Sequence, residues 1–564
     1  MALLIALLAA CATVAGDTAN LMPVTKLTVD VGSDVVTGLD RIAALEGTIE
    51  GPSSSEVTRV EWVVVAGPGE VSFEQVGSVS TSATFSAPGV YELRLTAWVD
   101  DEFTYDALTV TVPGGDNTVV QGTIWYVSTE GSDSNSGTSP DDAFRTLNKA
   151  GTMVEPGDVI QLRGGVYYEY NDADDRYGLP QTSFTTDGTA EKPIVIESFP
   201  GELAIIDGSR RPDGSRFEFE DGPDRMQRPY LLHLPVNHYI VRNLEFRNSV
   251  GSGLAVTAST DEDTGNHNLL SHLHLHHNHG NGLTASGLMR DDGDIYVTGN
   301  VAEYIVSHNN GSTRNGGNSA DGIKMSYARD GVISHSLLYK NSDDGMDFYG
   351  STDMLVDRSL AWLNGYFFRD GDSDPFSDEF AYEAPTGNGM GFKMGSSPSG
   401  RNSGNRISNS IAWENKRFGF TFNSAGGVTF VNNTSWKNGS GGFAARCFGT
   451  TVLRNNLSFD ESNTITADAS GCSDGSMPDH RFNSWNLNIG DPEFVSTNPE
   501  SSGFLSLANG SPAVDEGVDV GLAFEGSAPD LGALEVGQRI AAMLTSAFAE
   551  VQQSGGFSLA GGVR

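Results

Sequence analysis

Basic residues are scarce in this 564-residue chain. It carries 34 Lys and Arg against 73 Asp and Glu, a formal net charge of -39. Phosphate binding needs a basic surface, so nucleic acid is excluded as a partner. Such a balance suits a salt-tolerant or calcium-rich setting, and an acidic polymer as substrate requires cations between it and the protein. Cysteine is nearly absent, with only Cys11, Cys447 and Cys472. Long apolar runs are missing as well. Leu3 to Ala10 is too short to cross a bilayer, and no other stretch is long and apolar enough to span one. Helical periodicity is also scarce, which argues against a helical domain.

What is present is repetition. Ile407-Ser408-Asn409-Ser410-Ile411-Ala412-Trp413 is followed by Phe430-Val431-Asn432-Asn433-Thr434-Ser435-Trp436 and by Leu453-Arg454-Asn455-Asn456-Leu457-Ser458-Phe459. Trp413, Trp436 and Phe459 are 23 residues apart, as are Tyr339 and Trp362. A unit this short cannot bury its apolar side alone and must stack on copies of itself. Within each unit apolar and polar residues alternate, which is strand periodicity. The fold class expected is all-β: a solenoid of short strands, the parallel β-helix, preceded by a small β-sandwich. An Asn recurs once per unit, at Asn248, Asn278, Asn309, Asn341, Asn364, Asn415 and Asn438. These are expected to stack inside the coil as a ladder of amide hydrogen bonds.

A Gly-apolar-x-apolar segment follows each Asn, and its variable residue points out of the coil. Read down the column, these residues are Ala255, Thr284, Lys324, Asp347, Lys393, Thr421 and Ala444. Equivalent residues on successive coils lie about 4.8 Å apart, so Lys324, Asp347 and Lys393 converge on one exposed sheet. Asp321 and Asp344 precede the Gly on neighbouring coils, and Asp343 adjoins Asp344. Four carboxylates so placed repel one another without a cation. They are the donor chemistry of a Ca2+ site, with a lysine as candidate base. Between Asn364 and Gly391 one coil carries a long acidic insertion that includes Asp370, Asp372, Asp374, Asp378 and Glu379. A long insertion on one coil is expected to wall the binding face.

Along the chain, residues 1–11 resemble a bacterial lipoprotein signal ending in Leu8-Ala9-Ala10-Cys11, with Cys11 as the lipidated residue. The expected location is the bacterial cell envelope as an outer-membrane lipoprotein, or secretion, with the membrane contacted only through the lipid. Residues 12–24 read as a tether. Residues 25–113 alternate well in Val57–Val63 and Gly89–Ala97, and resemble the PKD-like, immunoglobulin-like modules of secreted bacterial enzymes. Glycan binding and a plain spacer both suit such a module. Residues 114–123 form a linker, and 124–535 are the solenoid domain. Ala143 to Ala150 reads as a short helix covering its open end. Residues 536–564 are a tail of unassigned role. Cys447 and Cys472 lie about one coil apart, placed either to pair across coils or to remain as two thiols.

Four words occur in family order: Asn318-Ser319-Ala320-Asp321-Gly322, Asp343-Asp344-Gly345-Met346-Asp347, Gly389-Met390-Gly391-Phe392-Lys393-Met394-Gly395, and Gly426-Gly427-Val428-Thr429-Phe430-Val431-Asn432-Asn433-Thr434. Together they resemble polysaccharide lyase family 9, the pectate lyases with a right-handed parallel β-helix. The resemblance implies that Asp321, Asp343, Asp344 and Asp347 bind Ca2+ and that Lys393 is the base. It implies β-elimination on an acidic polysaccharide, polygalacturonate or a related uronan, by a monomeric enzyme. The chain departs from the family at Met346, where Trp is usual, at Ser326, where Lys is common, and at Thr421, where Asp is usual.

Lys324, Arg417 and Arg446 lie near the same outward strands and are candidates to hold substrate carboxylates. Lys324 also suits a salt bridge to the Asp cluster. His272, His274 and His276 alternate on one strand, which fits either zinc or a polar column, and no carboxylate or Cys set accompanies them in sequence. Two other classes remain open. A hydrolase on this fold would need two carboxyl groups astride a glycosidic bond. A non-catalytic glycan-binding surface lipoprotein would draw on the anchor and the sandwich module.

Overall fold

The computed structural model describes residues 28–540 with breaks. The longer breaks are 113–121, 170–181, 211–229, 370–379, 396–402 and 469–478, and residues 1–27 and 541–564 also lie outside the described residues. Cys11, Cys447, Cys472 and the five acidic residues of the insertion are among those not described. The chain divides into two compact units, one ending near residue 111 and one running on from there.

The first unit is built by period-two alternation. Tyr91, Leu93, Leu95 and Ala97 of one long strand, Gly89–Val99, are all buried. That strand belongs to a four-stranded sheet with Arg59–Ala66, Glu102–Val112 and Val35–Val36. A three-stranded antiparallel sheet of Ile42–Glu46, Ser80–Phe85 and Val71–Phe73 supplies the other half of the core. Trp62 stacks on Phe73 and Phe85 meets Tyr91 edge-on, so the two sheets face each other as a small sandwich.

The second unit is a parallel β-helix. A ten-stranded parallel sheet runs from Thr182–Ser183 to Ile465–Asp468. A nineteen-stranded sheet forms the rest of the wall. It bends along a column of residues in the left-handed conformation: His272, Tyr304, His335, Arg358, Asn409, Asn432 and Asn455. The coil therefore has three faces. One turn runs Ile323–Ser326 on the first face, Val332–Ser334 on the second and Leu337–Tyr339 on the third, then returns as Met346–Tyr349 above its start.

A non-glycine residue in the left-handed region is held there at roughly 1–3 kcal/mol, so each corner needs compensation. The next residue provides it by capping a backbone N–H of the neighbouring coil. At the corner after the third face, the amides of Asn278, Asn310, Asn341, Asn364, Asn415 and Asn438 form one ladder with Nδ2···Oδ1 distances of 2.9–3.1 Å. Each backbone N–H also donates to the next Oδ1. Two members of the expected ladder are corrected. Asn248 and Asn309 are left-handed corner residues, and the residues after them, Ser249 and Asn310, take the ladder position. A second ladder at the bend runs Ser336, Ser359, Ser410, Asn433, Asn456, Asn483.

Inside the coil, Ile323, Met346, Phe392, Phe420 and Phe443 stack in register and are almost fully buried. The aromatics spaced 23 residues apart lie on the outer side of the third face. Tyr339, Trp362 and Trp413 stack face to face at 4.3 and 4.6 Å. An apolar outer row needs a cover, and residues beyond the last coil supply it. Among the described residues the last strand is Asp479–His480 rather than one near residue 535. The following segment folds back so that Phe504, Leu505, Ala533 and Leu534 pack on Trp362, Trp413 and Trp436. At the other end the helix Leu147–Gly151, capped by Thr146, buries Leu147 and Ala150 against the interior row. It starts four residues later than its sequence pattern predicts.

Candidate active site

The outward column of the first face is confirmed residue by residue. Strand pairing aligns Ala255 with Thr284, Thr284 with Lys324, Lys324 with Asp347, Asp347 with Lys393, Lys393 with Thr421 and Thr421 with Ala444. Asp321 and Asp344 lie beside this column on adjacent coils, and the N–H of Asp344 donates to Asp321 Oδ1 at 3.0 Å.

Backbone donors aim the carboxylates. Asp321 is seated by its own N–H, which donates to Asn281 Oδ1 at 2.8 Å. Asp343 accepts from the N–H groups of Ser319, at 2.8 Å, and Asn388, at 2.5 Å. Asp344 Oδ1 accepts from the N–H of Met390 at 2.7 Å. Asn281, Ser319, Asn388 and Met390 were not legible as site residues, because three of the four act through the main chain. Asn281 alone carried a signal, as the residue before Gly282 in the repeated frame.

Both lysines enter the cluster. Lys393 Nζ is 3.1 Å from Asp344 Oδ2 and 3.1 Å from Asp347 Oδ2. Lys324 Nζ bonds Asp347 and lies 3.6 Å from Asp321 Oδ2. Its ammonium is thus engaged with carboxylates, as the salt-bridge reading expected. The expectation that Lys393 stands exposed is corrected: it faces outward, yet only 8% of its surface is accessible. Arg417 is exposed immediately before the strand Phe418–Thr421. Arg446 lies on the strand Gly441–Arg446, and its side chain is outside the described residues.

The electrostatics follow from burial. All four carboxylates are nearly inaccessible. Burial first, then Asp343 and Asp347, push the Asp321 carboxyl up to about 7 against the opposing pull of Lys324. Burial likewise drives Asp344 far above the ordinary carboxylate range. For Lys393 burial favours the neutral amine, but Asp344, Asp347 and Asp321 outweigh it and hold the ammonium above its usual pKa.

These residues fit a hard divalent cation. Asp321, Asp343 and Asp344 each offer an oxygen within 4.8 Å of the others. Asp321 Oδ2 and Asp347 Oδ1 are buried without a hydrogen-bond partner. With all four carboxyls ionised, the two ammoniums leave two negative charges, which one Ca2+ would balance. Oxygen-only donors of this kind are what Ca2+ takes.

The alternating His run does not share one face. His272 sits at the bend with a left-handed backbone and packs on Tyr304. His274 and His276 lie beyond it on the third face.

A parallel solenoid with a buried carboxylate–lysine cluster on one outer face defines the class: a polysaccharide lyase. Residues 125–456 match the family model described as Pel9A-like, right-handed β-helix region, and the chain belongs to that family. Pectate lyase L of Dickeya chrysanthemi is 28% identical over 441 residues, covering 73% of this chain and 90% of that protein. Pectate lyase PEL9 of Emericella nidulans is 28% identical over 323 residues, covering 54% and 70%. The crystal structure of pectate lyase Pel9A superposes with a TM-score of 0.56 at 24% identity, covering 73% of this chain and 96% of that one. This last likeness supports the fold.

Proposed function

We propose that this protein cleaves a uronic-acid polymer, polygalacturonate or a close relative, by calcium-dependent β-elimination with Lys393 as the base. The observation that carries the reading is the position of Lys393 Nζ, 3.1 Å from both Asp344 and Asp347 in a buried outward column. Lys393 takes the C5 proton of a uronate. The electron pair forms the C4–C5 double bond, the C4–oxygen bond breaks, and the leaving oxygen is protonated. Ca2+ held by Asp321, Asp343, Asp344 and Asp347 would neutralise the substrate carboxylate and draw off the charge that builds up beside it. In the metal-free cluster Asp344 and Asp347 keep Lys393 protonated, so the neutral amine requires another positive charge at those carboxylates.

A hydrolase needs two carboxyl groups at least about 5 Å apart with the sugar between them. Here the carboxylates converge in one buried cluster, which favours the lyase. The test is a panel of uronans with and without Ca2+, read by ultraviolet absorbance of the unsaturated product. Reducing ends without that absorbance, or full activity after chelation, overturn the reading. We also propose that Cys11 carries a lipid anchor; Cys11→Ser then releases the protein from membranes of a bacterial host, and unchanged fractionation refutes it.

A further inference from the structure

A second cluster of ligating side chains stands on the third face, away from the carboxylates. Strand register places Glu245 beside His274, Arg247 beside His276, and His276 beside His308, so three successive coils contribute. His274 Nε2 is 2.8 Å from His308 Nε2. His274, His276 and His308 each bring a ring nitrogen within 4.8 Å of the others. Glu245 Oε1 is 3.2 Å from His276 Nε2, and its Oε2 is 3.8 Å from His274 Nδ1. The His276 and His308 rings are stacked at 5.0 Å with only 5° between planes, and His276 Nδ1 is braced by His277 Nδ1 at 2.6 Å.

The cluster replaces something. His308 stacks on Tyr339, and the same outer row continues as Trp362 and Trp413 under the folded-back C-terminal segment. At this end the row turns from apolar rings to imidazoles. The side chains of His274 and His276 are 27% and 13% accessible, which leaves an entry path.

We propose that His274, His276 and His308, oriented by Glu245, form a site for a borderline divalent transition metal, of which Zn2+ is the representative. Three imidazoles are a donor set such ions take, with a carboxylate beside them to orient the rings, whereas Ca2+ prefers oxygen alone. The donors sit on strands, which fixes them better than loops do. The local charge permits a cation. Asp207 and Glu245 supply two negative charges and Arg247 one positive, with Arg247 Nε donating to Asp207 at 2.7 Å and its Nη1 to Glu245 Oε1 at 3.0 Å. A metal here would tie three coils together. Binding to the folded form alone would raise stability by mass action.

The test uses the full, untagged chain, stripped with EDTA and resupplied with saturating Ca2+ so that the carboxylate site is filled. Zn2+ is then titrated calorimetrically, with Co2+ as a visible-spectrum probe and the melting temperature as a second readout. Expected are one Zn2+ per chain beyond Ca2+, Co2+ ligand-field bands, and a higher melting temperature with Zn2+. His274→Ala and His308→Ala should each weaken Zn2+ by at least about 10-fold and leave Ca2+ binding and lyase rate unchanged. Glu245→Gln, which preserves shape, should weaken it to a similar degree and keeps the test valid where an alanine variant fails to fold. Absence of Zn2+ uptake in the Ca2+-loaded wild type, or equal uptake in wild type and Glu245→Gln together with the His variants that fold, overturns the site and leaves a hydrogen-bonded imidazole stack.

Discussion

Two polar columns climb the same coils a few residues apart, and they behave in opposite ways. Asn341 belongs to the amide ladder, and Asp343 and Asp344, just after it, belong to the carboxylate cluster. Each ladder amide is a donor and an acceptor, so identical residues stacked in register complete one another. Asn364 accepts from Asn341 and donates to both Asn415 Oδ1 and the carbonyl of Leu338. A carboxylate only accepts, so stacking it on its own kind leaves orphaned oxygens and like charges. The same backbone repeat therefore yields a finished structural element from Asn and an unfinished, cation-seeking one from Asp. Stability is concentrated in the first column and given up in the second, where chemistry needs unsatisfied charge.

The sharpest break in the comparison is Lys393→Ala. On the proposed mechanism it should lower turnover by at least about 10², measured from the unsaturated product, while Lys324→Ala does less damage. With Ca2+ present the melting temperature should hardly move. In EDTA the variant should melt lower than wild type, because Asp344 and Asp347 lose an ammonium. Near-normal turnover in Lys393→Ala combined with a dead Lys324→Ala would move the base one pair of coils down.

On the ladder side, Asn364→Ala strips partners from both neighbours in a dry interior. Chemical denaturation should show a loss of about 3 kcal/mol, with or without Ca2+. A loss below about 1 kcal/mol would mean that the ladder is not the stabilising column.

Glu461 ends the ladder, accepting from the N–H and amide of Asn438 and from Ser435. Burial raises its carboxyl from 4.5 to about 7, against those hydrogen bonds. A carboxyl raised in the fold contributes stability that is complete below pH 4.5 and lost as pH climbs through 7. Glu461→Gln should remove that decline, worth roughly 3 kcal/mol at most, and its melting temperature should change less between pH 5 and 8 than that of the wild type. Parallel curves would contradict this.

The smallest effect is expected for a single carboxylate of the cluster. Asp321→Asn removes one buried charge, so the metal-free protein should gain about 1 kcal/mol near pH 8, while the stabilisation by added Ca2+ shrinks. A destabilised metal-free variant would mean that the cluster is not frustrated.

Much of this arrangement was readable in the residues, and the exceptions share a cause. The column from Ala255 to Ala444 is legible because Gly-apolar-x-apolar fixes which side each residue takes. The ladder was off by one at Asn309 and Asn310, since alternation cannot say which of two adjacent Asn adopts the left-handed turn. The second ladder was missed because half of it is Ser, a residue common in any turn. The cover of Lys393 was missed because lateral packing between coils leaves no periodic mark. The outer Trp row was seen only as a spacing. Its burial depends on Phe504 and Leu534, which come after the repeats have ended.

The corner columns have a consequence for how such a molecule can change. Successive ladder residues are separated by 23 positions from Asn341 to Asn364, by 51 from Asn364 to Asn415 and by 23 again to Asn438. The amide contacts are nonetheless alike. Height along the axis is counted in turns of the wall, and the number of residues spent on a turn is free. An extra stretch can be spliced in at a corner, as between Asn364 and Gly391, without moving Lys393 from its place above Asp347. Residues distant in number therefore keep fixed addresses in space, and the loops that meet a polymer can be exchanged while the chemistry stays where it was.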